Sequence, residues 1–174
     1  MFNMVWLIIK ALYFFLPAYI ANMAPVLFRK LPFLDIPIWK NKLGDHKTWR
    51  GVVVATLMGV IVFAFQKLLY NSGLQSWALI DYNDFSILLG GALGLGAIIG
   101  DAVKSFYKRK AGIKPGKPWW GFDQLDFVVG GILSGFFFYV PDVAVVTILI
   151  VVSPILHVSA NRIGYWLKIR KVKS

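Results

Sequence analysis

The sequence predicts an all-α, polytopic membrane protein with five transmembrane helices, organised as a single domain over residues 1–174. The chain is 58% hydrophobic, which exceeds what the surface of a soluble domain of this length tolerates. The apolar residues are gathered in windows near the roughly 20 residues that a helix needs to cross a bilayer. Most basic residues lie between alternate windows, as expected for a chain with a fixed orientation in a membrane.

Five apolar windows give the predicted helices in order. They run approximately from Val5 to Phe28, Gly51 to Tyr70, Phe85 to Phe106, Phe127 to Val140 and Val143 to Tyr165. The first contains Pro17, Asn22 and Pro25, which predict a kinked element with a polar notch. The fourth is short, and we expect it to span only if its polar start, "GFDQLD", belongs to the same helix.

The charge distribution predicts the topology. Of 19 basic residues, six lie between Arg29 and Arg50, six between Lys104 and Lys117, and five between Arg162 and Lys173. The loops after the second and fourth windows contain none. The positive-inside rule therefore places the N-terminus outside, the C-terminus in the cytoplasm, and cytoplasmic loops at about 29–50 and 107–122. The expected location is the cell membrane, with the polar site facing the cytoplasm.

The acidic residues indicate more than orientation. All eight are Asp, and orientation by positive charge requires none of them. Anionic-lipid attraction suffices for the basic tail "KIRKVKS", but carboxylates would weaken such a patch elsewhere. The aspartates that share the predicted cytoplasmic side with the cations are Asp35, Asp45, Asp101, Asp123 and Asp126. With no Cys and only His46 and His157, a zinc cluster is not expected.

Two groups of side chains favour phosphate and metal chemistry. Lys104, Ser105 and Lys108 follow Asp101 at i+3, i+4 and i+7, on one face of a helix. Asp123 and Asp126 are one turn apart at the start of the fourth helix, a natural ligand pair for Mg²⁺. The alternative role for this pair is helix capping. Glycines along the third and fourth helices predict close packing that would bring Asp101 to this pair.

Two cationic loops complete the predicted site. The segment "KRKAGIKPGKPWWG" suits a polyphosphate, and its Trp119 and Trp120 are interpreted as interfacial residues or as a stacking surface for a base. The first loop ends "LGDHKTWRG", which sets Asp45 beside Lys47 and Arg50.

A polar stripe crosses the fifth helix. Ser153, His157 and Asn161 recur every four residues, so they share one face. Such a stripe either holds helices together by hydrogen bonds or lines a groove for substrate.

The motifs resemble those of a known family. "GDAVKSFYKR" followed by "DQLD" is similar to the signature of the CTP:phosphatidate cytidylyltransferases, or CDP-diacylglycerol synthases. The matching positions are Gly100, Asp101, Ser105, Lys108, Arg109, Lys114, Asp123 and Asp126. Pro115 replaces an Asp of that signature, Gln124 replaces its Arg, and its H-G-G element is absent. These departures, with "PAYIANMAPVLF" and "LGDHKTWRG", are similar to the archaeal branch, the CDP-archaeol synthases.

The resemblance implies a Mg²⁺-dependent enzyme that transfers CMP from CTP to the phosphate of unsaturated archaetidic acid (digeranylgeranylglyceryl phosphate), an isoprenoid ether lipid phosphate, and releases pyrophosphate. The predicted catalytic residues are Asp101, Lys108, Arg109, Asp123 and Asp126, with Asp101, Asp123 and Asp126 as metal ligands. The predicted CTP and phosphate contacts are Asp45, Lys47, Thr48, Arg50, Lys104, Ser105, Lys114 and Lys117. The predicted lipid groove contains Asn22, His157 and Asn161.

Two classes of protein without catalysis compete with this interpretation. A small transporter would carry charges along a pore, whereas here most charges lie at one predicted face. A scaffold for anionic lipid would need the cations alone. Membrane lipid is an expected partner in every case, and nucleic acid is not.

Overall fold

The structure is a computed structural model that describes residues 3–114, 117–119 and 121–166, except for the side chains at 160, 161, 164 and 165. The α-helices in these ranges are α1 Met4–Phe14, α2 Leu16–Leu27, α3 Lys40–Leu43, α4 Trp49–Asn71, α5 Leu88–Lys110, α6 Phe122–Gly135 and α7 Val143–Trp166. The only β-type pairing in the described ranges is an isolated bridge between Pro37 and Thr48. The predicted all-α class is therefore confirmed.

Two helices are long and apolar enough to cross a membrane by themselves. They are α4 and α5, each 23 residues long, and the pair α1 and α2 would form a third span if the two are counted together. The apolar part of α7, Val143–Ser159, is shorter, and α6 has 14 residues. The described residues thus give a helical membrane protein with two or three candidate spans, and five spans stay a prediction.

The first predicted helix is bent, as its prolines indicated. α1 ends before Phe15, and α2 leaves at an angle of 46° with Pro17 in its first turn. The side chain of Gln66 on α4 is buried and donates from Nε2 to the carbonyl oxygen of Tyr13, 2.5 Å away. This bond satisfies a carbonyl in the last turn of α1, where the intrahelical ladder is interrupted.

Glycines set the distance between α5 and α6. A Cβ atom on Gly100 would collide with the carbonyl oxygen of Asp126, and one on Gly96 would collide with that of Gly130. The backbones therefore approach as closely as two helices without side chains can, which confirms the predicted packing. α6 begins at Phe122, so its polar start belongs to the same helix, as predicted.

Three chain segments meet at one end of the bundle. Lys47, just before α4, pairs with Asp101 near the end of α5. Lys104 on α5 in turn pairs with Asp123 and Asp126 at the start of α6. The entry to α4, the end of α5 and the start of α6 therefore lie on the same side of the molecule, which agrees with the predicted meeting of both basic loops.

Candidate functional site

A cavity of about 730 Å³ opens at this end of the bundle. Its walls come from the helices α2, α4, α5, α6 and α7, from the loop that joins α2 to α4, and from the loop that joins α5 to α6. The lining residues are Asn22, Pro25, Val26, Arg29, Asp35, Asp45, His46, Lys47, Thr48, Arg50, Asp101, Lys104, Pro118, Asp123, Gln124, Asp126 and His157. The cavity is therefore charged over most of its wall and apolar where α2 contributes.

The loop between α2 and α4 folds back on itself to deliver Lys47. The backbone N–H of Ile38 donates to the carbonyl of Lys47 at 2.8 Å, and that of Trp49 donates to Ile36 at 3.1 Å. The Thr48 hydroxyl accepts a hydrogen bond from the N–H of Gly51 and caps α4. These bonds fix the direction in which Lys47 leaves the loop, toward Asp101.

Arg50 holds this loop in place. Its side chain is 5% exposed, and its guanidinium donates to the carbonyl of Leu31 and to the carboxylate of Asp35, both at 2.6 Å. Both contacts are on the loop itself. In this arrangement the guanidinium that the sequence assigned to phosphate is used to position the loop.

The ammonium group of Lys104 lies between three carboxylates. Its Nζ atom is 3.1 Å from Asp101, 2.9 Å from Asp123 and 2.8 Å from Asp126. Lys47 also contacts Asp101, and Lys108 contacts Asp123. We call these six residues the Asp–Lys cluster: Asp101, Asp123, Asp126, Lys47, Lys104 and Lys108.

Asp123 is the most heavily bonded carboxylate of the cluster. Lys108, which is 7% exposed, donates to both of its oxygens at 3.0 and 2.9 Å, and the N–H of Trp119 donates at 2.6 Å. Burial by itself would raise the pKa of Asp123, but the hydrogen bonds from Lys108, Trp119 and Lys104 outweigh burial and lower it. The carboxylate therefore stays ionised at neutral pH.

The side chain that accepts the N–H at the start of α6 is that of Gln124, not that of either aspartate. Gly121 is the residue before the helix, and its N–H donates to the side chain of Gln124 at 2.6 Å. Gln124 thus provides the reciprocal bond of a capping box. Asp123 and Asp126 are left to face the cations of α5.

Several predicted residues lie away from the cavity wall. Arg109 donates to the carbonyl of Ile113 in the following loop, and the Ser105 hydroxyl donates back to the carbonyl of Asp101 at 2.8 Å. Lys114 and Lys117 are exposed on the same loop. Lys108 reaches the site through Asp123 and is not part of the lining described above.

The polar stripe of α7 is divided between the two predicted roles. Ser153 is fully buried and shares a 2.5 Å hydrogen bond with Tyr19 of α2, so it joins helices. His157, one turn further along, lines the cavity opposite Asn22 of α2 and has its ring 5.6 Å from that of Phe127. The side chain of Asn161 lies outside the described residues, as do Pro115, Trp120 and the basic tail from residue 167 onward.

Seven lining residues were not predicted as site residues from the sequence. They are Pro25, Val26, Arg29, Asp35, His46, Pro118 and Gln124. Arg29 and Asp35 flank a short apolar segment, and the sequence alone indicates only that they are charged residues of a loop. Gln124 stands where the family signature has an Arg, which by itself does not indicate a site residue. Arg29 and Asp35 are six residues apart in a loop, and this spacing does not predict a shared face. Only the folded loop shows that both line the cavity.

The donor set of the cluster suits a hard cation. Three carboxylates surround one positive charge, and carboxylate oxygen is the ligand that Mg²⁺ prefers. Among the described residues, no group of three or more His, Cys, Asp or Glu side chains is arranged to hold a metal ion, and the Lys104 ammonium lies between the three carboxylates. The carboxylates are therefore the type of ligand that suits such a metal, but a metal ion could bind between them only if the Lys104 ammonium moved out of that position.

Comparison with known proteins identifies the family. The model of the CarS-like CDP-archaeol synthase family matches residues 4–174. The chain is 39% identical over 169 residues to the CDP-archaeol synthase of Methanopyrus kandleri, with 94% of this chain and 91% of that protein covered. It is 35% identical over 171 residues to that of Methanospirillum hungatei, with 90% and 98% covered.

A solved structure gives the same answer. It is described as an intramembrane enzyme for archaeal membrane lipids biosynthesis, and it matches this chain with a TM-score of 0.67 at 30% identity, covering 88% of this chain and 94% of that one. Sequence and fold therefore agree over most of the molecule. The chain belongs to the CDP-archaeol synthase family.

Proposed function

We propose that this protein transfers CMP from CTP to the phosphate of unsaturated archaetidic acid, giving CDP-archaeol and pyrophosphate in archaeal lipid biosynthesis. The observation that carries the proposal is the Asp–Lys cluster at the wall of a cavity that also has an apolar side. Such a site offers charge to a triphosphate and hydrocarbon to a lipid. The membership of the family supports the same reaction.

The reaction needs no general base. The second pKa of a phosphate monoester is about 6, so the attacking oxygen of the lipid phosphate is already ionised at neutral pH. That oxygen forms a bond to the α-phosphorus of CTP while the bond to the β-phosphate oxygen breaks, and pyrophosphate leaves with the electron pair. Catalysis then consists of aligning two anions and neutralising the charge that moves to the leaving group.

We assign these tasks to the cluster. Lys47 and Lys104 line the cavity, and each can exchange a carboxylate partner for a phosphate oxygen. Lys108 positions Asp123 from outside the lining. Asp101, Asp123 and Asp126 would hold Mg²⁺, which would supply charge neutralisation on the triphosphate. Asn22 and His157 lie on the walls contributed by α2 and α7, and we place them beside the lipid.

We further propose that the chain spans the cell membrane five times, with the N-terminus outside and the cavity facing the cytoplasm. The positive-inside rule supports this orientation, because most basic residues lie in the loops that are predicted on one side of the membrane. The common position of the entry to α4, the end of α5 and the start of α6 also supports it.

Transport and passive lipid binding are less consistent with the geometry. Phe15 and Phe127 are fully buried among the helices, and a hydrogen bond between Tyr19 and Ser153 joins α2 to α7, so these residues form a packed layer. A pore would need a polar path through this layer. A scaffold for anionic lipid would gain nothing from three partly buried carboxylates.

A direct assay tests the function. Purified protein is mixed with radiolabelled CTP, Mg²⁺ and the unsaturated diether lipid phosphate, and the products are separated by thin-layer chromatography. We expect label in a CDP-lipid, release of pyrophosphate, and loss of both when a chelator removes the metal. Absence of a CDP-lipid in protein that remains folded in detergent would overturn the proposal.

A lysine substitution separates the cluster from the surrounding surface charge. We expect Lys108→Ala to lower kcat/KM by about 10- to 150-fold, since hydrogen bonds to charged groups contribute about 1.5–3 kcal/mol. Lys110→Ala, two residues on, removes an exposed cation of the same helix end and should change kcat/KM less than about 2-fold. Equal effects of the two substitutions in steady-state kinetics would mean that the charges act only through the overall field.

A further inference from the structure

We infer that Arg29 is the residue that binds the phosphate group of the lipid substrate, as distinct from the phosphates of the nucleotide. This assignment rests on the proposed function and adds to it a specificity determinant for the second substrate. Two observations support it: the other cations in the cavity wall form ion pairs with carboxylates, and Arg29 lies just after the end of α2.

The other cations in the cavity wall are already paired. Lys47 contacts Asp101, Arg50 contacts Asp35, and Lys104 contacts three carboxylates. Arg29 also lines the cavity, yet it makes no ion pair within the described part of the chain. Its guanidinium is therefore available to a ligand without first leaving a carboxylate.

Arg29 and the cluster carboxylates belong to different elements of the fold. Arg29 follows the last turn of α2, whose residues Asn22, Pro25 and Val26 line the same cavity, whereas the cluster carboxylates lie on α5 and α6. Val26 both lines the cavity and is exposed, and Leu27 beside it is exposed too. The α2 wall thus runs, within about one helical turn, from apolar side chains to a cation that has no ion pair among the described residues.

An apolar surface that ends at a cation matches a lipid phosphate. The chains of a diether lipid require apolar surface, and its headgroup requires a cation at the end of that surface. A guanidinium presents a planar fork of donors that matches two phosphate oxygens, which a lysine ammonium does not. The nucleotide carries no hydrocarbon and gains nothing from the apolar part of this wall.

Binding measurements without turnover test the assignment. Wild-type protein, Arg29→Gln and Arg29→Lys are reconstituted in nanodiscs of neutral lipid, and the affinity for the diether lipid phosphate, its dephosphorylated alcohol and CTP is measured for each. We expect Arg29→Gln to weaken binding of the lipid phosphate by about 10-fold or more and to leave binding of CTP and of the alcohol within about 2-fold. Arg29→Lys should fall between wild type and Arg29→Gln, because it keeps the charge and loses the fork.

Lys30→Gln is the matched control, since Lys30 is the exposed neighbour and does not line the cavity. Three results would overturn the inference: weaker CTP binding by Arg29→Gln, equal weakening for phosphate and alcohol, or the same loss with Lys30→Gln. The wild-type assay of CDP-lipid formation is run in parallel. If wild type forms no CDP-lipid while Arg29 still governs phosphate binding, the proposed reaction fails and the binding assignment stands.

Discussion

We expect Asp123→Asn and Asp126→Asn each to lower turnover by about 10²- to 10³-fold, the loss typical of removing one preorganised electrostatic group from an active site. Each substitution keeps the shape of the side chain and removes one of three charges around Lys104. The Lys104 ammonium keeps two carboxylates in either variant, but Asp123→Asn leaves the buried Lys108 with an amide in place of its carboxylate, so we expect that variant to be less stable than Asp126→Asn. Steady-state kinetics over a range of Mg²⁺ concentrations measures the loss.

Asp84→Asn provides the control for this pair. Asp84 is exposed in the loop between α4 and α5, and the same chemical change there should leave turnover within about 2-fold of wild type. Thermal unfolding in detergent verifies that all three variants are folded. Near-normal turnover of either α6 variant at limiting Mg²⁺ would remove that residue from the proposed set of metal ligands.

Gly100→Ala tests whether the distance between α5 and α6 sets the chemistry. The new Cβ would collide with the backbone oxygen of Asp126, and a backbone cannot turn aside as a side chain can. We expect the helices to move apart, with stability reduced by about 1–3 kcal/mol. Activity should fall by about 100-fold, since a shift of roughly 1 Å in an active site has that effect.

Gly91→Ala is the matched substitution on the same helix. Its Cβ would meet Cγ2 of Val60 at 3.0 Å, and a side chain can adjust to that contact. Alanine also favours a helix over glycine by about 1 kcal/mol, so Gly91→Ala should be neutral or slightly stabilising. If Gly100→Ala proved as mild as Gly91→Ala by thermal unfolding and kinetics, the close approach would not control the site.

The helical elements of this fold were largely predictable because a bilayer restricts the choices. The apolar windows predicted α4 and α5. The glycines and the positions of Asp123 and Asp126 predicted α6 and its packing against α5. The bend at Phe15 was predictable from Pro17, because proline has no N–H to donate to the carbonyl of Tyr13 four residues earlier. The group that takes up this carbonyl, the side chain of Gln66 on α4, was not predictable, because it is 53 residues away in the sequence.

The charged site was predictable in composition and less so in its connections. Charge patterns identified the aspartates and lysines that meet, yet a pattern cannot show which cation each carboxylate takes. Arg50 illustrates the limit, because its partners Leu31 and Asp35 are reached only when the loop folds back. Arg29 illustrates the converse, since no motif marks it and the role we infer for it rests on the absence of an ion pair to it among the described residues.

The Asp–Lys cluster contains as many ammonium groups as carboxylates. Its electric field therefore cancels within a short distance, and the cluster cannot draw a polyanion in from solution. Long-range attraction must come from the exposed cations around the cavity, whose influence extends over about 10 Å at 0.1 M salt. Ionic strength should consequently govern how fast a nucleotide arrives, while the steps that follow among the buried charges are far less sensitive to it.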